Sequence, residues 1–227
     1  MSFKKSILLA GALALSVFAA PIPECSEDAT QSEVPASTPA LTAANLIAIA
    51  STTASCDGAP YPEECKDATA AAAALNKAFE TYKITSTEEQ AAVVAYELFE
   101  SANFKYNKNK FPAPGRPGQG TRMMAMPPVV QKYATAVAGA AAVATAQAAG
   151  GDTGLNAVLA LVNSDDEKSF GSAAWFVTSE CTPAVRAGLQ AGTIDGWHSF
   201  LTACVQTSLD DARDTIWVTA KQIMLGD

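Results

Sequence analysis

Histidine is nearly missing from this 227-residue chain: His198 is the sole one. That excludes zinc sites built from several histidines and acid–base schemes that need two. No Asn-X-Ser/Thr sequon occurs, so N-glycosylation is not expected. GxSxG, Walker A and HExxH motifs are absent, and no motif asks for a metal or an organic cofactor. No stretch alternates with a two-residue period between turn signals, which argues against a β architecture, although short strands remain compatible with residues 103–126.

A second absence is local. From Ser101 to Gly151 there is no Asp or Glu, although the whole chain carries 23 acids against 15 bases, a formal net charge of −8. The same interval holds Lys105, Lys108, Lys110, Arg116, Arg122 and Lys132. Overall acidity disfavours nucleic acid and anionic membranes as partners. Concentrated bases leave two readings open for this interval. One is a site for an anion or a polar glycan, with aromatic and guanidinium planes to stack on it. The other is neutralisation of acidic faces within the same domain.

The N-terminus reads as an export signal. Lys4 and Lys5 precede an apolar stretch, Ser6 to Phe18, and small residues surround Ala19, so cleavage is expected after Ala19 or Ala20. The stretch is too short for an ordinary membrane span. Loss of this segment lowers the bases to 13 against 23 acids, a net charge of −10. Residues 20–40 carry Pro21, Pro23, Pro35 and Pro39 among Ser and Thr, which predicts a flexible leader before a helical domain over 41–227. Export implies an oxidising compartment and hence disulfides. Cys56 and Cys65 bracket a short loop, and Cys181 and Cys204 sit on or beside helical segments. Those are the expected pairs, with Cys25 left over.

Helical signals dominate the domain and predict a single all-α fold of about eight helices, stapled by two disulfides. Expected segments are Thr42 to Ser51, Asp67 to Tyr82, Ser86 to Ser101, Val129 to Ala149, Leu155 to Val162, Ser169 to Ser179, a short one from Pro183, Thr193 to Val205 and Leu209 to Met224. Ser86 and Glu89 predict a capping box, and Ser208 with Asp211 a weaker cap. The uncharged stretch Tyr133 to Ala149 predicts a central core helix rather than a membrane span, because alanine is only marginally apolar. His198 shares a face with Ile194, Leu201 and Val205, which predicts a packed core-edge residue.

Residues 103–127 break the helical pattern. Four prolines and three glycines rule out regular helix over most of them. Phe104, Tyr106, Phe111 and three methionines give the segment apolar surface to pack. A connection of this length inside a compact domain is usually functional or disordered. Lys105, Tyr106, Lys108, Lys110, Arg116 and Arg122 are the candidate binding residues. GRPGQG at 115–120 lacks the preceding strand and following GK[ST] of a phosphate loop, and is a weak signal for one. On a helical wheel Glu100 lies opposite the stripe of Ala91, Val94, Ala95, Leu98 and Ala102, near Val93 and Tyr96. A carboxyl group against aromatic surface has its pKa raised and can serve as a general acid.

Glu100-Ser101, Phe104, Asn107, the glycines through Gly120, Met124, Met126-Pro127 and Tyr133-Ala134 together resemble the core of lysozyme-like lytic transglycosylases. That resemblance implies Glu100 as general acid/base and Ser101 as the residue orienting it. The signature glutamine of that family is missing, and Ala125 stands near its place. More of the domain resembles a group of uncharacterised secreted fungal proteins. They share the PGQGTR segment at 117–122, a Met-rich stretch after it, and a region like Ala174-Trp175-Phe176 through Cys181 and Trp197. The second resemblance implies a fungal, extracellular protein and no specific activity. The expected function is binding through the basic loop, to a cell-wall glycan or a host extracellular component, with glycan cleavage at Glu100 as the alternative.

Overall fold

The computed structural model describes residues 39–226. The expected signal 1–19, most of the leader 20–40, and Cys25 lie outside the described residues. Ten α-helices are present among the described residues: α1 Ala43–Ile49, α2 Ala68–Tyr82, α3 Thr87–Glu100, α4 Pro127–Ala138, α5 Ala140–Gln147, α6 Gly151–Val162, α7 Asp166–Ser179, α8 Pro183–Gln190, α9 Ile194–Ser199 and α10 Asp211–Leu225. A 3₁₀ turn, Ser51–Ala54, follows α1, and a π-helical turn, Phe200–Val205, continues α9. The all-α expectation holds. The count is ten rather than about eight, in part because the segment expected over Val129 to Ala149 breaks at Gly139, whose φ of 87° no helix accepts.

Only part of that segment reaches the core. Val130, Tyr133 and Ala134 of α4 are buried, but in α5 Val143 is the one buried residue, and Ala140, Ala141 and Ala144 face solvent. The centre belongs to α3 and α7, each buried through most of its length. Helix α3 packs on α10, α8 and α7; α2 packs on α7; α4, α5 and α6 pack on one another. Alanine drives this arrangement: Ala71, Ala74, Ala78, Ala91, Ala95, Ala173 and Ala174 are all buried and let backbones approach closely. Aromatic rings fill the remaining space, with Trp197 stacked on Trp217 at 5.9 Å and Phe104 edge-on to Phe170 at 5.1 Å. No described helix is long and apolar enough to cross a membrane.

Both expected disulfides are formed, Cys56–Cys65 and Cys181–Cys204. The second ties the C-terminal end of α7 to the π-helical turn. Ser86 caps α3 by accepting from the Glu89 amide, but the Glu89 carboxylate does not return to close the box. It is fully buried and receives Arg186 at 2.6 Å and Gln190 at 3.1 Å. A buried charged pair outcompetes the reciprocal cap. Asp210, rather than Ser208, caps α10. A true capping box forms at Thr42 and Asn45, ahead of α1.

Candidate functional site

The long loop begins where α3 ends, and Ser101 makes the turn. Its hydroxyl donates to the Glu97 carbonyl at 2.6 Å and accepts from the Phe104 amide at 3.0 Å. Its own carbonyl takes the amides of Lys105 and Tyr106. Ala102, Asn103 and Phe104 all adopt left-handed backbone, so the chain reverses within three residues. Ser101 is therefore fully engaged with backbone and makes no hydrogen bond to Glu100, contrary to the orienting role that the transglycosylase resemblance implies.

Two buried charges then fix the loop to the domain. Glu64, beside Cys65 in the small disulfide loop, is almost fully buried. Its Oε2 accepts the amides of Asn107 and Lys108 at 3.1 and 3.2 Å, and its Oε1 pairs with Lys110 Nζ at 2.5 Å. Lys110 also lies 3.8 Å from the centre of the Tyr61 ring. Arg122 is 0 % exposed. Its guanidinium donates to the carbonyls of Phe104, Tyr106 and Glu64, at 3.0, 3.0 and 2.7 Å, and lies over the Phe170 ring. The expectation that Arg122 binds a ligand is corrected by this burial: it satisfies the carbonyls of Tyr106 and Glu64, which the irregular chain leaves without backbone partners, and adds a second donor to that of Phe104, which also accepts the Lys66 amide. Burial lowers its pKa to about 10, against the opposing charges of Glu97, Asp166 and Glu64.

Glu97 completes this interior. It is 0 % exposed and neither carboxylate oxygen has a hydrogen-bond partner. Burial pushes its pKa well above the ordinary carboxylate range, with Arg122 opposing. The glycines have equally structural reasons. A Cβ on Gly120 would lie 2.4 Å from the Asn107 carbonyl oxygen and 2.9 Å from the Leu159 side chain, and two isolated bridges join Gly120 to Lys108 and Ala125.

The remaining bases divide. Lys105 Nζ donates to the carbonyls of Thr52 and Ser55, tying the loop to the 3₁₀ turn. Lys132 pairs with Glu180 at 2.5 Å. Lys108 and Arg116 are exposed and have no carboxylate partner among the described residues. Arg116 rests one guanidinium nitrogen on the Met126 sulfur at 3.2 Å. Of the two readings of the basic interval, neutralisation accounts for Lys110 and Lys132, and backbone anchoring for Lys105 and Arg122. Lys108 and Arg116 are left facing outward.

Those two line a cavity of about 370 Å³ with Lys110, Asn109, Gln119 and Asn156. No acid contributes to its wall. Each of the three amides is held at one end only. Asn109 Oδ1 accepts from the Arg116 amide, Asn156 Oδ1 accepts from the Gly118 amide, and Gln119 Nε2 donates to the Met124 carbonyl. The opposite ends, two NH₂ groups and one carbonyl oxygen, make no hydrogen bond among the described residues. A second, more apolar cavity of about 290 Å³ shares Lys108, Asn109 and Lys110 and adds Tyr106, Phe111 and Met124. Tyr106 is half-buried against Tyr61, whereas Phe111 is 83 % exposed.

Glu100 stands apart from both cavities. It pairs with Arg213 of α10 at 3.0 Å, and Arg213 lies over the Phe99 ring. Burial raises the Glu100 pKa, with the hydrogen bond and charge of Arg213 opposing. His198 sits at the core edge as expected, 2.8 Å from Asp214, which also accepts from the Trp197 indole. Among the described residues no group of three or more His, Cys, Asp or Glu side chains is placed to hold a metal ion.

Sequence reasoning placed Glu97 beside Glu100 at the end of α3 but not in the interior, and missed Glu64, Arg213, Gln119 and Asn156. Only the place of Glu64 next to a disulfide cysteine carried any signal. Comparison with known proteins adds little. The chain matches no family model and no solved structure. A protein of Fusarium oxysporum named bifunctional dioxygenase–epoxy alcohol synthase is 31 % identical over 164 residues, covering 68 % of this chain. The match spans 12 % of the length of that relative.

Proposed function

We propose that this chain is an exported fungal binding protein that holds an anionic ligand in the cavity between Lys108 and Arg116. The observation that carries the reading is the pairing of two outward bases without acid partners and the free NH₂ groups of Asn109 and Asn156 around one concave, acid-free surface. An anion entering there meets charge and hydrogen-bond donors that need no reorganisation. The surrounding protein is acidic, so anions are repelled elsewhere and steered toward this patch. Two disulfides suit an oxidising compartment, and the Fusarium relative suits a fungal source. The two activities in the name of that relative belong to a protein of which the shared region is a small part, and they are not part of this proposal.

The test is calorimetric titration with inorganic phosphate and with glucuronate at low and at physiological salt. Salt-sensitive binding that disappears in Arg116→Glu supports the reading. Absence of binding to either probe, or unchanged binding in Arg116→Glu, overturns it.

A second reading is glycan cleavage with Glu100 as general acid. The raised pKa of a mostly buried carboxyl favours it. The Arg213 pair opposes it, since a donor must be freed before it can protonate a leaving group. Turnover of peptidoglycan or chitin that is lost in Glu100→Gln would establish this reading, and its absence in the unaltered protein would remove it.

A further inference from the structure

We infer that the ligand is an acidic oligosaccharide, lying across the Lys108–Lys110 segment with one sugar face on Phe111 and a carboxylate in the neighbouring cavity. This rests on the binding reading above and adds a second subsite to it.

The two cavities are not independent. Lys108, Asn109 and Lys110 wall both, so a ligand longer than one sugar that fills the first reaches the second. Their chemistry differs. The first offers cations and amide groups. The second offers Phe111, Tyr106 and the Met124 side chain. Phe111 is the most exposed large apolar residue among those described, on a segment whose other aromatic rings, Phe104 and Tyr106, are buried or half-buried. Its place on the wall of the second cavity, and not its exposure, makes the ring available to a ligand seated there.

A sugar ring fits both halves. Its axial C–H face is apolar and lies flat on an aromatic ring, while its hydroxyl groups need planar, two-way hydrogen-bonding partners. Asn109 and Asn156 present NH₂ groups, and Gln119 presents a carbonyl oxygen, each fixed by backbone at the other end. The charge selects among sugars: Lys108 and Arg116 lack carboxylate partners, so a uronic acid supplies what a neutral hexose cannot. Charge complementarity therefore commits the occupant to a polyuronide or similar acidic chain.

The experiment titrates a short oligouronide, its methyl-esterified counterpart and inorganic phosphate into the unaltered protein, Phe111→Ala and Arg116→Glu. The oligouronide is expected to bind at least tenfold more tightly than the esterified form. Phe111→Ala should weaken the oligouronide by about tenfold, the scale of one aromatic stacking contact, and leave phosphate unchanged. Phe111→Trp should restore the loss. Arg116→Glu should weaken both ligands. If phosphate binds and depends on Arg116, yet Phe111→Ala leaves the oligouronide unaffected or the esterified form binds equally, the oligosaccharide inference is overturned and the anion site stands. If neither ligand binds, both readings fall. Phe111 makes no hydrogen bond through its side chain and is solvent-exposed, so its replacement should leave the thermal midpoint in place, which the same samples report.

Discussion

Arg122 and Arg116 lie six residues apart on one loop and do opposite things. Arg122 is sealed in the interior on three backbone carbonyls. Arg116 is exposed at the rim of a cavity. The same contrast divides the whole segment. Residues 118 and 120–123 are buried, whereas 111–114 are exposed. A basic cluster in an acidic protein is thus two populations, one that folds the loop and one that the folded loop displays.

The sharpest way to break the contrast is Arg122→Met. It strands the carbonyls of Tyr106 and Glu64, leaves that of Phe104 with the Lys66 amide alone, and should cost about 3–5 kcal/mol in urea unfolding. Glu64→Gln keeps the shape but weakens acceptance from two amides and from Lys110, and should cost about 1–3 kcal/mol by the same measurement. Both should also disorder the cavity, so ligand affinity falls with stability. A loss of affinity without loss of stability in either variant would contradict the assignment of these residues to the interior.

Glu97→Gln sharpens the comparison through pH. The folded pKa of Glu97 lies above its unfolded value near 4.5, because burial favours the neutral form. Its contribution to stability is therefore fully present below that value. It is lost as pH rises, because the unfolded chain releases the proton at a lower pH than the folded chain does. The amide has no proton to lose. Denaturation of the two proteins should coincide at pH 4 and diverge above pH 5, with Glu97→Gln the more stable at neutrality. Parallel profiles across that range would show that Glu97 is ionised inside the fold. The smallest expected effect is in Lys108→Glu and Arg116→Glu, whose stability should stay within about 0.5 kcal/mol of the parent while anion binding disappears.

Much of the scaffold was legible in the sequence because it depends on local rules. Alanine periodicity, the Ser86 cap, the prolines in the first turns of α4 and α8, and the spacing of four cysteines point to the all-α class and both disulfides. Alanine also misled. Tyr133 to Ala149 lacks charge and so reads as core, yet α5 lies at the surface, because an uncharged alanine loses little by staying wet. The site was legible only in outline. Its loop announced itself through proline, glycine and missing acids. Which base turns inward is decided by carbonyls that become orphaned only once the chain has folded, and Glu64 contributes from 44 residues before Lys108. The wheel placed Glu100 near Val93 and Tyr96, but no periodicity in α3 points to Arg213 as its partner across the α3–α10 contact.

The position of Glu64 has one more consequence. Because Glu64 clamps the loop at residues 107–110 and Arg122 seals its return, the exposed stretch between them is relieved of most duty to the core. Apart from Gly115, where a Cβ would meet the Asn109 carbonyl oxygen at 2.1 Å, the tip between Phe111 and Arg116 can then vary in sequence while the helices beneath it remain unaltered.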